Sequence, residues 1–260
     1  MSDSLKVTQV DRVKVISINR PDVKNAVDVV TMNGIREHLL TSEKDNTRVV
    51  VITGENGSFC SGADIKSAME AKISPEYAFN VLADSYGPTM RAIKEIKWPV
   101  IAAVDGSAAG IGFDLALACD LRLASEAAVF SELFVKVGLI PDGGGTWSLQ
   151  RLIGQGRAKE MTFTGESVNA EKALEWGLVN RVYQLDTFME DVLNFSSNLS
   201  KQSPDALIYG KKAINEASEG SFEQALKREA NYQRKIFEGK WGFEGFKAFI
   251  EKRRPRWMDE

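Results

Sequence analysis

The stretch "VGLIPDGGGTW", residues 137–147, sets one carboxylate, Asp142, between Pro141 and three glycines. Proline fixes the approach of the chain; glycine adopts backbone angles other residues avoid, or lets another group come close. A carboxylate so placed has two uses. It can cap the helix that follows, "GGTWSLQRLIG", or it can take and return a proton on a bound molecule. Spacing alone supports both. Two other turns are built from small residues, "SFCSGADIK" (58–66) and "DGSAAGIGFD" (105–114). Their backbone N–H groups can approach a ligand atom, and two such donors on one carbonyl oxygen form an oxyanion hole. The same glycines also serve tight strand-to-helix packing, and either turn taken singly is explained that way.

Other chemistries lack their parts. The single histidine, His38, sits in "MNGIREHLL" on a helical pattern with no nucleophile turn beside it, which disfavours a Ser-His-Asp or Cys-His mechanism. Cys60 and Cys119 lie far from each other and from His38, with no zinc spacing and no disulfide framework, so no metal is expected and a reducing, cytoplasmic setting is. "GIGFDL" lacks the third glycine of a dinucleotide fingerprint, and no P-loop is present. A net charge of -3 and a pI near 5.5 argue against a general polyanion binder. No apolar run approaches the length of a membrane span, and "MSDSLKVTQV" does not read as a signal peptide.

The elements that must carry these turns follow from periodicity. "KVTQVDRVKVISINR" reads as two strands with a turn near Asp11, and a helix follows over about Val29 to Leu40. "RVVVITG" (48–54) and "PVIAAVDG" (99–106) are continuous β-branched or small apolar runs, the mark of strands buried on both faces. Between them, residues 75–96 read as helical with a break at Gly87-Pro88. "LRLAS", "AVFSE" and "LVNRVY" (178–183) read as further strands. After Gly145 the pattern is mostly helical, and beyond Asp186 it is helical throughout. In the last helix Phe243, Phe246, Phe249 and Ile250 form an apolar stripe of the kind that docks rather than faces water. The expectation is an α/β core over residues 1–200 and a helical C-terminal region over 201–260.

Taken together and in order, the segments "NRPDVKNAV", "FCSGADIK", "PVIAAVDGSAAGIGFDLALACDLRLAS", "VGLIPDGGGTWSLQRLIG", "ALEWGLVNRV" and "EGFKAFIEKRRP" resemble the enoyl-CoA hydratase/isomerase (crotonase) family over most of the chain. The resemblance implies a crotonase-like spiral of ββα units, with a helical C-terminal trimerisation region and homo-oligomers that are trimers or dimers of trimers. It implies an acyl-CoA thioester substrate, with coenzyme A as part of that substrate and no separate cofactor. Carried over by position, the oxyanion donors are the backbone N–H groups of Ala63 and Ile111. The stretch Ala63, Asp64, Ile65 and Lys66 holds adenine and pantetheine through main-chain contacts, and Lys24 is placed for a coenzyme A phosphate.

The resemblance also marks a departure. Hydratases of the family hold a water between two glutamates. This chain has Asp114 at the first position and Phe134 at the second, and phenylalanine neither holds a water nor moves a proton. Glu132 lies two residues from Phe134; on a regular strand it would share its face. Asp142 stands where isomerase branches of the family carry an acid, and "LIPDGGGTWSLQRLIG" is similar to the phenylacetate-degradation isomerase branch. The reading is therefore an acyl-CoA isomerase in which Asp142 shuttles a proton through a dienolate, in a dry cavity beneath two main-chain donors. Asp114 is a second candidate, as base partner, substrate hydrogen bond or helix contact. The alternatives are a hydratase using Asp114 with Asp142 or Glu132, and a non-catalytic or RNA-binding homologue.

Overall fold

A computed structural model describes residues 4–259. Two sheets form the frame. The larger has six strands in the order β1 (Leu5–Val10), β2 (Val13–Ile18), β3 (Val49–Gly54), β4 (Val100–Val104), β6 (Leu121–Ser125) and β9 (Arg181–Tyr183). The β1–β2 hairpin is antiparallel, and every later pair is parallel. The smaller sheet joins β5 (Ser107–Ala109), β7 (Val129–Ser131) and β8 (Ser167–Asn169). Successive turns of chain thus leave one strand in each sheet before entering a helix, which is the ββα spiral.

Both faces of the large sheet are covered, which is why its central strands lack hydrophobic alternation. Val50, Ile52, Ala102 and Val104 point into the main core, against α1 (Val29–Thr41), α4 (Gly87–Glu95) and α5 (Ile111–Ala118). Val49, Val51, Ile101 and Ala103 point the other way, onto Phe188 and Val192 of α9 (Phe188–Ser200). The chain then ends in α10 (Pro204–Ala217), α11 (Phe222–Glu238) and α12 (Glu244–Ile250).

Two sequence expectations are corrected. The helical stretch at 75–96 does not break at Gly87-Pro88. It runs from α3 (Pro75–Val81) through a π-helical turn, Leu82–Tyr86, into α4. Proline has no N–H for the preceding turn, and the wider turn absorbs that loss. Strands β5 and β8, three residues each, are too short to show a period, and the last strand is confined to Arg181–Tyr183. Of the C-terminal apolar stripe, Phe243 and Phe246 pack on Phe237 of α11, while Phe249 and Ile250 remain 85% and 76% exposed.

Candidate active site

The two small-residue turns are laced together. Cys60 N–H donates to Ser107 O and Ala109 N–H donates to Cys60 O, at 2.9 and 3.0 Å, pairing Cys60 with Ala108. Gly112, in the first turn of α5, lies so close to Cys60 that an added Cβ would stand 2.6 Å from its Cβ and Sγ. A side chain there would push the turns apart; glycine lets them meet. Ala63 and Ile111 lie just beyond this junction. Among the described turn and loop hydrogen bonds, neither the Ala63 nor the Ile111 N–H is a donor. Ile111 opens α5, where intrahelical partners are missing by construction. Gly110 before it is held at a φ of +53°, and the ring of Phe134, which is buried, lies 3.9 Å from where a Gly110 Cβ would be.

A second lacing fixes the turn at 58–66 from below. Asn25 is fully buried with a φ of +59°. Its side-chain oxygen accepts from Arg20 N–H at 2.8 Å, and its amide donates to Glu55 O and Ser58 O at 2.8 and 2.6 Å. Lys24 O accepts from Ser61 N–H at 3.1 Å, and Val27 pairs with Ala63. Asp64 caps α2 (Ile65–Glu70), accepting from Ser67 N–H, and pairs with Arg20 at 2.7 Å. The Ser67 N–H and the Arg20 guanidinium hold the Asp64 carboxyl below its ordinary range. Its side chain is thus committed to the loop, leaving Ile65, Lys66 and the Lys24 side chain exposed around Ala63. Arg20 and Asn25 were missed as organisers of the site by sequence reasoning. The signal available was an asparagine inside a turn, a residue that tolerates the left-handed region and clips backbone groups.

The glycine bend answers the question of the cap. The N-cap of α6 (Gly145–Ile153) is Gly144, with a φ of +98° and no side-chain cap. Asp142 therefore does not cap this helix. The carboxylate that serves the bend comes from α5: Asp114 Oδ2 accepts from Gly143 N–H at 2.7 Å. Asp114 is buried, and desolvation together with the nearby Asp142 charge pushes its carboxyl up to about 7, against the pull of the bend's N–H groups.

Glu132 is the residue whose place the sequence did not show. Strand β7 ends at Ser131, and Glu132 precedes a 3-10 turn at Leu133–Val137, so strand alternation does not reach it. Its side chain is fully buried in the same region as Asp114. An added Cβ at Gly145 would collide with Asp114 Oδ1 and stand 2.8 Å from Glu132 Oε1. The two carboxyls thus face the same few ångströms of space, kept clear by a glycine. Burial and the charges of Asp114 and Asp142 push Glu132 up to about 9.

Asp142 stands in the electrostatic reach of Asp114, Glu132 and the buried Tyr86, and partial desolvation pushes its carboxyl up to about 6. Yet its side chain remains exposed. The expectation of an enclosed acid is not met by this residue, which sits on the bend with one side open. The buried part of the site consists of Asp114, Glu132 and Phe134. A cavity of about 440 Å³ opens elsewhere, between Trp147 and Arg151 of α6 and Lys211 and Ile214 of α10, and none of these carboxyls lines it. Among the described residues no group of three or more His, Cys, Asp or Glu is placed to hold a metal ion, and no helix is long and apolar enough to cross a membrane. His38 is half-buried on α1, its carbonyl receiving Lys14 Nζ at 3.4 Å.

Comparison with known proteins places the chain in a family. Residues 8–260 match the family described as enoyl-CoA hydratase/isomerase. The chain belongs to that family. It is 34% identical over 246 residues to the 1,2-epoxyphenylacetyl-CoA isomerase of Escherichia coli, covering 94% of each protein. It is also 34% identical over 245 residues to the short-chain-enoyl-CoA hydratase of Clostridium acetobutylicum, covering 94% of this chain and 93% of that one. The crystal structure of an enoyl-CoA hydratase from Bacillus anthracis superposes with a TM-score of 0.94 at 32% identity, covering 99% of this chain and 100% of that one. The crotonase fold and membership of an acyl-CoA enzyme superfamily follow. Hydratase names are the more common among the relatives.

Proposed function

We propose that this enzyme is an acyl-CoA isomerase that moves a carbon–carbon double bond of an enoyl-CoA thioester. The reading is carried by one contrast within the carboxyl cluster: Asp114 and Glu132 are buried, whereas Asp142 is open to a bound molecule and is not spent on capping α6. In this mechanism the N–H groups of Ala63 and Ile111 receive the thioester oxygen as negative charge develops on it. Polarisation acidifies the carbons in conjugation with the thioester. Asp142 removes a proton from one of them, and the resulting dienolate is reprotonated two carbons away by the same carboxyl. A carboxyl pushed up to about 6 is ionised at neutral pH, yet is a stronger base than an ordinary aspartate. Phe134 keeps a second water-holding group out of the site. Lys24 and the stretch Ala63, Asp64, Ile65 and Lys66 would hold the coenzyme A portion, and the exposed Met69, Ile73 and Phe79 offer an apolar wall for the acyl tail.

The test is Asp142→Asn assayed with a 3-enoyl-CoA. Isomerisation is lost while binding of the ester is nearly unchanged. An Asp142→Asn enzyme of full activity would transfer the role to Asp114.

A second reading, hydration, has a specific observation behind it: Asp114 and Glu132 do face one another. In that case crotonyl-CoA loses its conjugated-thioester absorbance briskly in the presence of the enzyme, and Asp142→Asn leaves the reaction standing. The RNA-binding alternative has less behind it, because Arg253 of the basic C-terminal segment is paired with Glu244 and Glu251, both at 2.6 Å. We further propose that the exposed Phe249 and Ile250 are covered by another copy of this chain in a trimer or dimer of trimers, which a solution mass measurement reads directly.

A further inference from the structure

The proton-transfer reading leaves one group unused. Glu132 is fully buried, and neither of its oxygens has a hydrogen-bond partner; the inner oxygen of Asp114, Oδ1, has none either. The groups bearing on Glu132 are Asp114 and Asp142, and those on Asp142 include Tyr86. Among the described residues, the charges that weigh most on Asp114 and Glu132 are those of the neighbouring carboxyls, and no lysine, arginine or histidine stands with them. Three carboxyls gathered without a cation cannot all ionise, and two that face each other in a dry space resolve the conflict by sharing a proton. A protonated carboxyl is also a donor, which an ionised one is not. A proton on Glu132 therefore supplies the hydrogen bond that Asp114 Oδ1 lacks.

We propose that Glu132 is a positioning residue: held as the neutral acid, it donates to Asp114 and keeps that carboxylate ionised and turned toward Gly143 N–H, and the Asp114 charge in turn maintains the basicity of Asp142. Asp114 then links two things. Through Oδ2 it fixes the bend next to Asp142 at 2.7 Å, and through Oδ1 it takes the Glu132 proton. No proton leaves the pair during turnover; the proton transferred is the substrate's own, carried by Asp142. The arrangement accounts for Gly145 as well, since any larger residue would fill the space between the two carboxyls. This inference rests on the isomerase reading for its kinetic consequence, but the protonation of Glu132 does not.

The experiment therefore has two arms. Infrared difference spectra of the wild-type enzyme and Glu132→Gln at neutral pH read the proton itself. A carbonyl stretch from a buried, protonated carboxylic acid is present in the wild type and lost in Glu132→Gln. The second arm compares the pH dependence of kcat for 3-enoyl-CoA isomerisation in wild type, Glu132→Gln and Glu132→Leu. Glutamine keeps a donor for Asp114, and the acidic limb stays in place. Leucine removes it, Asp114 takes up a proton, the limb moves to lower pH, and kcat falls roughly tenfold, the change equivalent to about one pK unit. Absence of the acid band from the wild type, its persistence in Glu132→Gln, or an acidic limb at the same pH in all three enzymes would overturn the proposal. A band lost in Glu132→Gln from an enzyme with no isomerisation at all would instead refute the isomerase reading and leave the shared proton standing.

Discussion

Asp114 Oδ2 accepts the backbone N–H of Gly143 at 2.7 Å, so a side chain from α5 holds the bend on which Asp142 is mounted. Neither residue has another role so plainly written: the bend has no cap of its own, and Asp114 is buried with its second oxygen turned to Glu132. Replacing Asp114 separates the roles of acceptor and charge. Asp114→Ala leaves the Gly143 N–H buried and unpaired, which costs about 1–3 kcal/mol. Asp114→Asn keeps the acceptor, adds a donor for Glu132 and removes a charge from a dry site. At neutral pH the alanine variant is expected to unfold at a lower temperature than wild type, and the asparagine variant at an equal or higher one. Thermal unfolding followed by circular dichroism compares the three.

Gly145 keeps the carboxyl site open and Gly156 does not. An added Cβ at Gly145 would collide with Asp114 Oδ1 and lie 2.8 Å from Glu132 Oε1, whereas one at Gly156, within α7 (Gln155–Thr164), would meet nothing within 4 Å. Both glycines are helical, so backbone preference favours alanine at each by about 0.5–1 kcal/mol. Gly156→Ala should show that gain in chemical denaturation with activity intact. Gly145→Ala should lose stability by roughly 1–3 kcal/mol, the usual cost of overpacking, and lose isomerisation with it.

The pH dependence of turnover follows from the Asp142 carboxyl, pushed up to about 6 by partial desolvation. A base must be ionised to act, so kcat should rise with pH through about 6 and level off above it. An acidic limb near the ordinary aspartate range, about 4, would mean that the group in control is fully solvated. Rates with 3-enoyl-CoA between weakly acidic and neutral pH distinguish the two.

Much of this geometry was legible in the chain. "RVVVITG" and "PVIAAVDG" are unbroken apolar runs because α9 covers one face of the sheet and the main core the other. The three small-residue turns were visible because glycine and serine interrupt those runs, and their order carried the family resemblance. Other features were hidden for physical reasons. Strand β5 has three residues, too few to show a period, yet it carries the pairing of Cys60 with Ala108 that joins the two donor turns. Strand alternation does not place Glu132, because the strand stops one residue earlier and the side chain turns inward. The exposure of Asp142 had no sequence signature, since proline and three glycines predict a bend but not the side to which it opens.

The raised carboxyls also set how stability responds to pH. A group whose folded-state pKa lies above its unfolded value binds more protons when folded, so stability falls as pH rises from the unfolded value toward the folded one. Glu132, with an ordinary value of 4.5, is pushed up to about 9. Its contribution is complete below about 4.5 and is lost progressively from there to about 9. Glu132→Gln removes this group from titration. Its melting temperature relative to wild type should therefore increase steadily between pH 5 and about 9. A constant offset over that interval would show that Glu132 titrates alike in the folded and unfolded chain.

Phe134 is where the choice between isomerisation and hydration is open to direct manipulation. The ring is buried, beside Gly110 and so beside the Ile111 N–H assigned to the oxyanion. An aromatic ring there supplies no acceptor, so a water between it and Asp114 is unsupported on one side. Phe134→Glu supplies that acceptor at the position to which the family resemblance assigns a glutamate in hydratases. It also adds a fourth carboxyl to a region that already holds Asp114, Glu132 and Asp142. The expected result is a measurable gain in hydration of crotonyl-CoA, a fall in isomerisation of at least about tenfold as water enters the site, and a loss of roughly 3–5 kcal/mol of stability from removal of the buried ring. Hydration by the wild-type enzyme at a rate that Phe134→Glu does not increase would mean that Asp114 and Glu132 already hold the water, and the isomerase assignment would give way to the hydratase one.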